Sequence, residues 1–189
     1  LVMGIGCVKA FAPVVAMRQM GATAVQAGSV MGTATVAATV VGFLIAQLAY
    51  WKLLPRFGPR VGVMAMIVAA VASSGLALCL QWATTLTQLF LIFGLFLTAV
   101  MSGTLLSPTL LQDLTPAPLR ARLAAISVTL NIVLGSLGPA LVGAVSDQLK
   151  GRPDGLALAM AGSACACMAV SALLLIPLVR RYDSAEAAA

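Results

Sequence analysis

Between Arg60 and Arg120 the chain carries one charged side chain, Asp113, and between Arg18 and Lys52 it carries none. Runs that long without charge leave few structures open. A soluble domain is about a quarter charged. This chain of 189 residues is 61% hydrophobic and 8% charged, more apolar surface than a core of its size can hide. In lipid every backbone N–H and C=O must be satisfied internally, so apolar runs of roughly 20 residues become helices. The fold class is all-α integral membrane.

Six apolar runs can be marked: Leu1 to Met17, Gln26 to Trp51, Val61 to Gln81, Thr85 to Leu111, Leu123 to Ser146 and Leu156 to Val179. Gly, Pro or charge separates them, as turns require. The chain begins with Leu inside an apolar run, without a cleavable signal pattern, so it reads as a fragment whose first helix is cut at its start. Residues 1–182 are expected to form one six-helix transmembrane bundle, and 183–189 a short tail.

Orientation follows from the basic residues. Loops after even-numbered runs hold Lys52, Arg56, Arg60, Arg120, Arg122, Arg180 and Arg181; loops after odd-numbered runs hold Arg18, Lys150 and Arg152. The positive-inside rule places the first set, and the C-terminus, in the cytoplasm of a cell held by its inner membrane. The net charge of +6 is this loop bias, and without aromatic interleaving it does not point to nucleic acid. Catalysis is disfavoured: there is no histidine for a serine–histidine dyad or zinc, and no phosphate-binding loop. Cys7, Cys79, Cys165 and Cys167 all lie in apolar runs and read as buried thiols rather than metal ligands. No cofactor is expected.

Polar residues are concentrated in the second run (Ser29, Thr33, Thr35, Thr39, Gln47), the fourth (Thr98, Ser102, Thr104, Ser107, Thr109) and the fifth (Ser127, Thr129, Asn131, Ser136). Helices lining an aqueous path are more polar than helices facing lipid, which predicts two groups of three with the third member of each outside. Packing between helices is the other use of such hydroxyls. Ser102, Thr104, Ser107 and Asn131 are the candidate cavity-lining residues. Lys9 joins them as the one charge well inside a run, ~16 Å from Met20 along a helix. There it either attracts an anionic group of a small-molecule substrate, pairs with an acid elsewhere, or snorkels to an interface. Pro13, Pro108, Gly138 and Pro139 are the expected helix kinks. Asp113 is expected to pair locally with Arg120 and Arg122.

The octet LLPRFGPR, residues 53 to 60, is expected to be a short cytoplasmic loop, its prolines ending one helix and admitting the next. With the two residues before it, it resembles the loop motif G-x-L-A-D-R-x-G-R-R found between the second and third helices of the major facilitator superfamily, and recurring more weakly between the eighth and ninth. Leu53, Arg56, Gly58 and Arg60 match; Trp51, Pro55 and Pro59 depart from it. RQMGATAVQAGSVMG, residues 18 to 32, is similar to that family's outer loop into its eighth helix. LRARLAAISVTLNIVLGSLGPALVGAVSD, residues 119 to 147, resembles its eleventh-helix segment. The resemblance implies half of a twelve-helix bundle, built from two three-helix repeats, with the N-terminal six-helix half missing as partner. It also implies a secondary carrier that moves a small solute by alternating access. A complete six-helix substrate-capture subunit of a multi-component importer and a non-transporting membrane scaffold remain open alternatives.

Overall fold

A computed structural model describes the backbone of residues 1–58, 60–149, 151–152 and 154–186, and their side chains except at 57, 113, 114 and 180–186. The expected pairing of Asp113 therefore lies outside the described side chains, as do the charges of Lys150, Arg180 and Arg181. Among the described residues the structure is helix and turn throughout: α1 (Val2–Met20), α2 (Ala24–Phe57), α3 (Arg60–Cys79), α4 (Leu86–Thr104), α5 (Ser107–Leu114), α6 (Arg120–Gln148) and α7 (Gly155–Glu186), with short 3-10 turns at Leu80–Trp82 and Ala117–Leu119. Five stretches are long and apolar enough to cross a membrane: Ala24–Arg56, Arg60–Trp82, Leu86–Gln112, Ala117–Gln148 and Gly155–Val179. The protein is a membrane-embedded helical bundle.

Local chemistry explains where these helices begin and end. At the start of α2, the Thr23 hydroxyl accepts from the Gln26 N–H (3.2 Å) and the Gln26 side chain accepts from the Thr23 N–H (3.0 Å). This reciprocal cap satisfies two donors that a helix start otherwise leaves open. Thr85 and Gln88 begin α4 in a similar way, the Thr85 hydroxyl accepting from the Gln88 N–H at 3.3 Å and the Gln88 side chain from the Thr84 N–H at 3.1 Å.

Five of the six expected runs are among the spanning stretches; the first forms a helix, α1, whose 19 residues include Lys9 and Arg18 and which lies outside that set. Two expectations are revised. The octet is not a loop from Leu53: α2 continues through Pro55 to Phe57. Proline removes one N–H but keeps a helical φ, so the chain stays helical. The stop is Gly58, with φ 64° and ψ −159°, conformational space open essentially to glycine alone. The fourth run is broken, with Leu105 and Leu106 between α4 and α5. Residues 183–186 of the expected tail continue α7 as helix, beyond the spanning stretch that ends at Val179; residues 187–189 lie outside the described residues.

The core centres on α1 and α4. Cys7, Val8, Ala12, Val15 and Ala16 of α1 are buried together with Leu89, Phe93, Phe96, Leu97 and Val100 of α4. The contacts have a pattern. α1 packs chiefly on α6 and α7, α4 packs chiefly on α2 and α3, and α3 and α7 make the most extensive contact of all. α2 and α6 are flanking helices, and only 11% of the α6 spanning window is buried. The sixth run is less buried than the second, 22% against 28% of their spanning windows, so burial within this bundle does not follow polarity; the hydroxyls of α2 and α6 are satisfied within their own helices, as described below.

Glycines set the closest approaches. A methyl group on Gly6 would lie within contact-forbidden distance of the Gly135 carbonyl oxygen, and one on Gly138 would lie 2.6 Å from the Met3 oxygen. Pro139, inside α6, cannot bond the Gly135 carbonyl four residues back. That carbonyl instead faces Gly6, where a Cα–H contact serves it weakly. The Cys7 thiol donates to the Gly138 carbonyl at 3.4 Å across the same crossing. On the other side of the bundle, a methyl group on Gly42 of α2 would stand 2.9 Å from Met101 Cβ and from the Thr98 carbonyl oxygen of α4. Small residues let helix backbones meet where lipid supplies no hydrophobic drive for association.

Candidate functional site

The break between α4 and α5 borders a mostly apolar cavity into which a few polar side chains reach. Pro108 lacks the N–H that would bond the Thr104 carbonyl. The Ser107 hydroxyl donates to that carbonyl at 2.9 Å in its place. Thr104 in turn donates to the Val100 carbonyl at 3.0 Å. With the helix interrupted, Thr104 and Ser107 line a cavity of about 580 Å³ together with Met66 of α3, Asn131 of α6, and Cys167 and Ser171 of α7. A second cavity of about 580 Å³ lies between α5 and α6, lined by Gln112, Arg120 and Ser127. Ser107 and Asn131 belong to both.

Asn131 is the amide that the two cavities share; Gln112, whose side chain also makes no hydrogen bond among the described residues, lines only the second. Thr33, Thr35, Thr39, Thr98, Ser102, Ser127, Thr129 and Ser136 all donate to carbonyls three or four residues back in their own helices. Their donors are thus committed, and such back-bonding commonly bends helices rather than joining them. The Asn131 amide is exposed and makes no hydrogen bond within the described residues. It keeps two donors and an acceptor for a ligand. Counted from Arg120, it stands ~16 Å along α6, near the level of a bilayer midplane. The Arg120 guanidinium lies at the α6 start of the second cavity, its Nε donating to the Thr115 carbonyl at 3.0 Å.

The other sequence candidates sit elsewhere. Ser102 lines a separate, apolar groove between α2, α3 and α4. Lys9 is exposed on an open strip of α1 next to Ala10 and lines neither cavity, while its neighbours Cys7 and Val8 are buried. Arg56 and Gly58 lie at the α2–α3 turn, with the Gly58 N–H bonded to the Leu54 carbonyl at 2.9 Å; Arg60 opens α3, half-buried. Pro13 lies inside α1, Pro139 inside α6 and Pro108 at the α4–α5 break; Gly138 is buried at the α1 crossing. Ser171 and Gln112 are cavity residues that sequence reading passed over. Ser171 donates to the Cys167 carbonyl at 2.8 Å, and its place in a run of small residues gave no signal. Ser74 of α3 pairs with the Cys165 thiol of α7 at 3.1 Å, a tether between the two most extensively packed helices. Among the described residues no cluster of three metal-ligating side chains occurs.

No family model, no curated protein and no solved structure matches this chain.

Proposed function

We propose that this chain is the C-terminal six-helix half of a major facilitator-type carrier, moving a small solute by alternating access between this bundle and an N-terminal bundle. The observation that carries the reading is the Asn131 amide. It is uncommitted, near midplane depth, and shared by two adjoining cavities beside a broken helix. An unpaired amide in a membrane bundle is costly unless it serves a ligand or a water path. Discontinuous helices are where carriers place their sites.

The order of contacts supports a repeat. Exchanging α1 with α4, α2 with α6 and α3 with α7 maps the α1–α6 and α1–α7 contacts onto α4–α2 and α4–α3. On this reading α1 is a sixth span, sheltered by its neighbours despite Lys9. α6, the least buried span, and its repeat counterpart α2 are the helices that an opposing bundle would cover. The α2–α3 turn and the C-terminus are cytoplasmic, and the membrane is the inner membrane. Lys9, on the open strip of α1, would face the opposing half rather than the cavity at Asn131.

The test is uptake by the full-length protein in liposomes. Asn131→Ala should lose at least tenfold in kcat/KM, about 1.4 kcal/mol or more, whereas Ser136→Ala, on the same helix but outside both cavities, should keep it. Wild-type uptake by Asn131→Ala at equal incorporation refutes the site. Saturable uptake by the 189-residue chain alone refutes the half-carrier reading.

A further inference from the structure

One feature of the bundle is independent of transport. α2 has 34 residues, ~51 Å of helix against a hydrocarbon core of roughly 30 Å, so it extends past the apolar layer. Trp51 near its end is 79% exposed, as tryptophans at the headgroup level are. Beside it Ile45, Ala49 and Leu53 of α2 form one wall of an apolar groove of about 380 Å³; Val61, Met64 and Val68 of α3 form the other, and Ala99 and Ser102 of α4 form its floor. Ile45, Ala49, Lys52 and Arg56 follow each other at i, i+4, i+7 and i+11, a single face of the helix. The groove therefore runs straight up to two exposed cations.

Those cations have no acid nearby in sequence: the first carboxylate of the chain is Asp113, so α2, α3 and α4 contain none. The groove spans Val61 to Ala72 on α3, ~16 Å, about half a hydrocarbon core. Its apolar lining suits an acyl chain along that length, and the two cations at its end, whose charge no acid of α2, α3 or α4 neutralises, suit a phosphate.

We propose that this groove is a binding site for one anionic phospholipid, with an acyl chain between α2 and α3 and the headgroup phosphate held by Lys52 and Arg56. Small residues along the walls (Ala46, Ala49, Ala65, Ala69, Ala72) leave the space the chain occupies. The sequence LLPRFGPR then keeps its arginine at headgroup height: Pro55 lets the helix continue, and Gly58 turns the chain before the interface is passed.

Native mass spectrometry of the full-length protein, with phosphatidylglycerol or phosphatidylcholine of identical chains, tests this. One retained phosphatidylglycerol is expected, preferred roughly tenfold over phosphatidylcholine. Lys52→Gln with Arg56→Gln should abolish the preference, while Lys52→Arg with Arg56→Lys should keep it. Ala65→Phe, which fills the groove, should cut retention of both lipids with helicity by circular dichroism unchanged. Arg122→Gln, a lost cation away from the groove, should change nothing, and soluble glycerol phosphate should not compete. Equal retention of the two lipids by the wild type, a preference that survives loss of both cations, or competition by glycerol phosphate would each overturn the proposal.

Discussion

Gly138→Ala is the sharpest perturbation of the α1–α6 crossing. The added methyl would stand 2.6 Å from the Met3 oxygen, 2.8 Å from the Cys7 nitrogen and 3.0 Å from the Gly6 carbonyl carbon. All three are backbone atoms, so no rotamer change relieves the overlap. Ordinary contacts between carbons are about 3.5–4.0 Å, which requires the two helices to part by roughly 1 Å. The Cys7–Gly138 bond, already 3.4 Å, is lost in the process. Overpacking of this kind costs about 1–3 kcal/mol. Replacing glycine by alanine in a helix returns about 0.5–1 kcal/mol. The net is a destabilisation of about 1–2 kcal/mol, near tenfold in the folded-to-unfolded ratio. Gly143→Ala is the matched control: it lies on the same helix with nothing within 4 Å of the added methyl, so only the helix-propensity gain remains. Unfolding by increasing dodecyl sulfate in mixed micelles, followed by circular dichroism, compares the two. Gly138→Ala as stable as Gly143→Ala would refute the close crossing.

Gly58→Ala should lower the unfolding midpoint by the equivalent of about 1–3 kcal/mol, because its backbone conformation excludes a side chain; an unchanged midpoint would mean the α2–α3 turn is built differently. Arg56→Cys should resist a membrane-impermeant thiol reagent added outside intact cells; labelling there inverts the proposed topology. Lys9→Ala, which removes a charge away from both cavities at Asn131, should leave substrate KM of the full-length carrier within about twofold of wild type; a roughly tenfold loss partly restored by Lys9→Arg would place Lys9 in the site instead. Wild-type behaviour of Lys9→Ala makes Lys9 a snorkelling or packing lysine.

The helical class and the positions of five spans were legible because lipid permits few backbone solutions and apolar runs announce them. Boundaries were less so. Pro55 looks like a stop in sequence, yet a proline stops a helix only if its neighbours also leave helical space, and here Gly58 is the first to do so. The break at Leu105 and Leu106 has Gly103 and Pro108 as its markers, but Pro13 and Pro139 sit inside unbroken helices elsewhere in the chain. Thr104, Ser107 and Asn131 were identifiable as polar residues in apolar runs; that they adjoin one cavity depends on the packing of α4 against α3 and α6 against α7, which no local pattern encodes. The commitment of most hydroxyls to their own helices was equally invisible, since a threonine reads the same whether its donor is spent or free.

The Cys7 to Gly138 contact joins residues 131 positions apart. At synthesis rates of about 5–20 residues per second, some 7 to 26 s separate the appearance of α1 from that of the partner surface which seals it. α1 is meanwhile a helix with a lysine near its centre and an arginine near its end. It is the element least suited to lipid, and the one that waits longest for company. Its residence during that interval depends on something other than the finished bundle, such as the insertion machinery or helices made earlier. The order in which the chain is written thus makes the most central helix of the folded bundle its most exposed one during biogenesis.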